Sequence, residues 1–105
     1  MSLFGSWAEA AAMVDLQEIM DHLGMGRQVW QAFTEQVGDP ANDMRLFGAL
    51  PRIAVVQACN QAQFPDGSPL LPLQATQVGL VWRLTRKVVA AKSGMHESQF
   101  VDIDP

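Results

Sequence analysis

The sequence predicts an all-α fold: a small bundle of about five helices with a long C-terminal one. Three observations carry this expectation. Apolar residues recur every three or four positions in one segment after another, which is the spacing of a single helix face. Glycine or proline stands between the segments, where helices stop and restart. No stretch shows the clean period of two that a half-buried strand needs.

The totals bound the answer. A chain of 105 residues fits one domain, expected over 1–94, followed by an irregular acidic tail over 95–105. An apolar fraction of 49%, with three Trp and five Phe, is enough for one core and excludes a disordered composition. The net charge of −4 makes the whole chain a poor binder of polyanions. Cys59 is the single cysteine, so no disulfide can form within the chain. A reducing, intracellular and cytoplasmic setting is expected. "MSLFGSWAEAAAMVD" has no basic region ahead of its apolar part and carries Glu9 within it, unlike a signal peptide.

Each element has its own signal. Ser6 and Glu9 have capping-box spacing, as do Asp15 and Glu18, with Val14 and Ile19 placed as a hydrophobic staple. At about 100° per residue, Trp7, Ala11 and Val14 share one face, while Leu16, Met20 and Leu23 fall on the opposite one. One straight helix would expose one of these sets, so a break is expected near Val14. Gly24 is a natural stop. Met25, Val29, Ala32, Phe33 and Val37 form the next stripe, ended by Gly38. Asp39-Pro40 reads as an N-cap followed by proline, opening a helix with Met44, Phe47 and Leu50 on one stripe. Pro51 starts the following helix, with Ile53, Val56 and Cys59 expected inward. "PDGS" is the clearest turn.

The last helix is expected to begin near Pro72 and end at Ser93-Gly94. Leu73, Val78, Leu80, Val81, Trp82, Leu84, Val88 and Val89 cover more than half of its circumference, as in a helix touched on several sides. Gln74, Gln77 and Arg83 interrupt the apolar run before it reaches the roughly 20 residues of a membrane span. No membrane association is expected.

Arg83, Arg86, Lys87 and Lys92 are four of the seven basic residues. They admit a nucleic-acid or acidic-partner stripe. Cations also favour the end of a helix, where the backbone dipole is negative. Residues 1–43 hold seven acidic residues against Arg27 alone, so the N-terminal helices can neutralise the C-terminal one. Charge runs of this kind are usually solvated faces.

Chemistry has few candidates. Asp15, Glu18 and His22 share a helix face and could hold a divalent cation, but an acidic solvated face is the commoner outcome. Cys59 could pair with His22 or His96 as a nucleophile, but a mid-helix cysteine among Val55, Val56 and Ala58 usually acts as a small apolar group. No phosphate loop, CxxC, HExxH or GxSxG is present. No catalytic residue, metal or cofactor is expected. Of Trp7, Trp30 and Trp82, Trp30 lies at the edge of its stripe and is the best candidate for a surface anchor.

"DLQEIMDHLGMGRQVWQAF" resembles the first two helices of sterile-alpha-motif domains, in which a short leucine-containing helix leads through a glycine into an aromatic-bearing one. The likeness is one of layout over roughly residues 14–92. The entry to the third helix and the "FPDGSPLLP" turn depart from that pattern. "ALPRIAVVQAC" and "PLQATQVGLVWRLTRKV" faintly resemble segments of protist retroelement-type polyproteins, which implies a domain cut from a longer chain and carries no site residues.

These readings converge on a non-enzymatic protein–protein interaction module. Its partner is expected to be another protein or a second copy, with Trp30, Arg83, Arg86 and Lys87 as the candidate surface. The alternative is a nucleic-acid-associated module that uses the basic stripe.

Overall fold

The computed structural model describes residues 7–96. The all-α expectation holds. Six α-helices are present among these residues: α1 (Trp7–Ala12), α2 (Leu16–Leu23), α3 (Arg27–Val37), α4 (Met44–Ala49), α5 (Arg52–Gln61) and α6 (Pro72–Lys92). A short 3-10 helix, Asp39–Asn42, leads into α4. The first expected capping box falls on Ser6, outside the described residues, as does most of the acidic tail.

The break near Val14 is present, and Asp15 creates it. Its carboxylate accepts the Glu18 N–H at 2.9 Å, which fixes the start of α2. The Glu18 carboxylate reaches back to the Val14 N–H at 2.8 Å, so the reciprocal cap is built one residue earlier than the motif suggests. The staple is not made. Ile19 is fully buried, while Val14 is 71% exposed on the outside of the bend. Gly24 ends α2 at φ 67, and Met25 N–H closes on the Met20 carbonyl at 2.9 Å, which together satisfy the orphan carbonyls of the last turn.

Two expectations need correction. Residues 40–50 are not one helix. Asp43 takes an extended backbone, and its carboxylate accepts the N–H groups of Arg45 and Leu46 at 2.8 and 3.2 Å. That cap outcompetes Asp39 and leaves Asp39–Asn42 as a tight turn pinned by buried Ala41. In α5, Ile53 and Val56 do not face inward. The buried face is Val55, Ala58 and Cys59, extended by Ala62 just after the helix. Both faces of "IAVVQAC" are apolar, so the pattern does not choose between them. The alanines choose, because small side chains let α5 lie closer to its neighbours.

α6 is the central element, and α1, α2, α4 and α5 all pack on it. Val78, Val81, Leu84, Thr85 and Val88 are fully buried along it. Thr85, the one buried polar side chain among the described residues, donates to the Val81 carbonyl at 2.7 Å. Leu73 does not join this face and projects from the first turn. At the far end Lys92 donates to the Ala11 carbonyl at 3.4 Å, tying α6 to α1. On α3, Phe33 meets Trp30 and α4's Phe47, with ring centroids 5.2 to 5.8 Å apart within the trio.

Two substitutions check this packing. Val81→Asp should unfold the protein, since an unpaired buried charge costs about 3–5 kcal/mol or more. A cooperative melt like that of the wild type would show α6 to be peripheral. Gly48 faces α6, and a Cβ built there stands 3.6 Å from the Thr85 and Val89 methyls, which is ordinary contact. Gly48→Ala should therefore raise stability by about 0.5–1 kcal/mol, whereas Gly48→Leu should lower it.

Candidate docking groove

The exposed apolar face of α5 borders a surface groove. The Trp82 indole N–H donates to the Leu50 carbonyl at 3.0 Å, which fixes the middle of α6 against the start of α5. At the other end the chain reverses through residues 63–69. There Phe64 N–H closes on the Ser68 carbonyl at 2.8 Å, and Gln63 bridges Pro69. The Asp66 carboxylate accepts from both the N–H and the hydroxyl of Ser68, and these bonds hold its pKa below the ordinary carboxylate value. α5 and α6 therefore run antiparallel, pinned at both ends.

Between them lies an open groove of about 460 Å³. Val55, Val56 and Cys59 of α5 line one side, and Ala75, Gly79 and Leu80 of α6 the other. Gly79 sets its depth, because a Cβ built there meets no atom within 4 Å. Arg52 and Arg83 stand at the Trp82 end, and Asn60 and Thr76 at the turn end. None of the described residues lining the groove is acidic. Ile53, 57% exposed, and Val56, 41% exposed, carry apolar surface along the outer face of α5. Leu71 and Leu73 add more at the start of α6.

The sequence-predicted site residues are placed differently from one another. Arg83 lines the groove. Arg86 lays its guanidinium over the Trp82 ring, 4.8 Å from the centroid, so part of its charge is engaged by the core aromatic. Lys87 is half-buried one residue further on. Trp30 is half-buried in the aromatic trio of α3 and α4, away from the groove. Arg52 and Gly79 were not singled out from the sequence, and Val56 was expected in the core rather than at a surface site. The signal for them was the surplus of apolar residues on α5, more than one buried face can use.

The remaining chemical candidates are structural. Asp15 and Glu18 are engaged in the α2 cap, and His22 is exposed. Among the described residues no three His, Cys, Asp or Glu side chains stand close enough to hold a metal ion. Cys59 is 7% exposed, and burial pushes its thiol from the ordinary 9.0 to about 11, the opposite of an activated nucleophile. None of the described helices is long and apolar enough to cross a membrane. No protein-family model, curated protein or solved structure matches the chain.

The thiol gives a pH prediction. Cys59 is held protonated by the fold, so its contribution to stability is complete below pH 9 and is lost as pH rises toward 11. Modification by a maleimide at pH 8 should be on the order of a hundredfold slower than for a free thiol, from the thiolate fraction alone. Labelling of the native protein at the free-thiol rate would place Cys59 at the surface.

Proposed function

We propose that this chain is a non-enzymatic protein–protein interaction module whose docking face is the groove between α5 and α6. One observation carries the reading. The helix pair leaves Ile53 and Val56 exposed beside a preformed cleft, where a soluble fold would ordinarily place polar side chains. A cleft pinned at both ends binds without first being ordered, which lowers the entropic cost of association. Its size suits a few side chains of a partner segment. Its rim of two arginines adds a directional electrostatic element. The layout likeness to sterile-alpha-motif domains agrees with a binding role, and a single cysteine agrees with an intracellular, cytoplasmic one.

The competing reading is a nucleic-acid-associated module using Arg83, Arg86 and Lys87. The stacking of Arg86 on Trp82 counts against it, since a guanidinium already placed over a core ring is a poorer phosphate contact.

Gly79→Leu separates the groove from the fold. A Cβ at this position meets no atom within 4 Å, the rest of the side chain occupies the cleft, and leucine favours a helix over glycine by up to about 1 kcal/mol, so stability should hold or rise. Selection of a random twelve-residue peptide library on the wild-type protein should enrich sequences with two or more apolar residues. These should lose binding to Gly79→Leu by at least tenfold. Enrichment of nothing, or of peptides indifferent to Gly79→Leu, would remove the docking reading. Retardation of a single strand or duplex at about 50 mM salt, lost as salt rises, would install the nucleic-acid reading instead.

A further inference from the structure

We infer that the groove's occupant is α5 of a second copy of this chain, seated about a two-fold axis so that the exposed rim of each α5 enters the other copy's groove. This rests on the docking reading above and adds what fills the site. Three arguments lead to it, and none draws on the arginines.

The first is the missing charge. Charged residues make up 17% of the chain, yet from Ile53 to Trp82 only Asp66 is charged, and its carboxylate is engaged by Ser68 in the turn. Beyond Arg52, the exposed positions of α5 are Ile53, Val56, Gln57, Asn60 and Gln61. The facing stretch of α6, from Leu73 to Leu80, is uncharged as well. Interface cores are depleted of charge in this way. Two copies that each carry a net charge of −4 repel, except where they meet through surfaces that present no charge. A partner chosen by opposite charge finds nothing to pair with on these stretches.

The second is shape. On α5, Ile53, Val56 and Asn60 lie within about 60° of one another, and on α6 so do Leu73, Thr76 and Leu80. A two-fold axis perpendicular to this face sets the two α5 helices antiparallel. Val56 of each copy then lies over Gly79 of the other, where a Cβ built on the glycine meets no atom within 4 Å. Because α5 and α6 are themselves antiparallel, Ile53 of each copy is directed toward Leu73 of the other. The Arg52 and Arg83 end of one groove faces Asn60 and Thr76 of the second copy, so like charges are not brought together. Each contact forms twice, as an isologous interface requires.

The third is area. Ile53, Val56 and Leu73 alone leave more than one and a half whole aliphatic residues exposed. With the groove walls, covering this face on both copies removes on the order of 1,000 Å² in total, the lower limit of a specific interface. That area supports a weak dimer in exchange with its monomers, not an obligate one.

The test is sedimentation equilibrium of the full chain from about 10 μM to about 1 mM, the range in which an interface at this lower limit dissociates. The wild type is expected to rise from monomer toward dimer across it. Gly79→Leu fills the groove and Val56→Ser shortens the rim, and each should weaken association at least tenfold while the melting curve shows the fold intact. Val56 also lines its own groove, so Ile53→Ser, at a more exposed position, provides a second test of the rim. The decisive sample is an equal mixture of Gly79→Leu and Val56→Ser. There the intact rim of the first enters the intact groove of the second, and across the axis the added leucine meets the shortened side chain at position 56. The mixture should associate more strongly than either variant alone. A wild type that is monomeric throughout overturns the inference, as does a dimer indifferent to all three substitutions or a mixture no stronger than its components. Association that weakens as salt rises places the contact on charged surfaces and overturns it too. If library-selected peptides still bind and lose binding to Gly79→Leu in those cases, the docking reading stands and only the occupant is wrong. If they too fail, both fall.

Discussion

The indole of Trp82 holds the corner on which the bundle turns. Its ring is 2% exposed, and its N–H donates to the Leu50 carbonyl, the acceptor left unpaired where α4 stops and Pro51 forces α5 to start. A proline at that junction cannot donate a backbone N–H of its own. Without the indole, this part-buried carbonyl would lose its hydrogen bond, at a cost of about 1 kcal/mol. One side chain of α6 therefore fills the core, closes the α4–α5 corner and fixes where α5 lies. Arg86, stacked on the outer face of the same ring, covers it from solvent.

The position of α5 decides the surface. With its start pinned by Trp82 and its end closed by the Asp66 turn, α5 lays Val55, Ala58, Cys59 and Ala62 inward. Ile53 and Val56 are then left outside, and the side-chain-free stretch at Gly79 leaves space opposite them. The groove is a consequence of rigid ends and a small residue on the facing helix. Nothing in α5 alone would produce it.

This explains which parts of the structure could be read from the sequence. α6 was legible to within a residue at each end, because Pro72 and Gly94 bound an unbroken apolar helix that only a central position satisfies. The α2 cap was legible because Asp15 and Glu18 act on their immediate neighbours. The start of α4 was not, because Asp39 and Asp43 are both competent caps and tertiary burial of Ala41 chooses between them. The buried face of α5 was not, because both faces are apolar and the choice between them is made by packing against α6, where the small Ala58 and Ala62 allow close approach and Trp82 holds the preceding corner. The groove inherits that illegibility. Arg83 was found through its charge, whereas Arg52, Val56 and Gly79 acquire meaning only once α5 is placed against α6.

The central claim is that the Trp82–Leu50 hydrogen bond is as permanent as the fold, and hydrogen exchange of the indole N–H measures this directly. The chain has three tryptophans, so its NMR spectrum should carry three indole signals. The account predicts that the Trp82 indole exchanges only through global unfolding, with a protection free energy equal to the stability found by denaturant titration. Exchange of that proton at the rate of a solvent-exposed indole, while the Val81 and Thr85 amides remain protected, would contradict it.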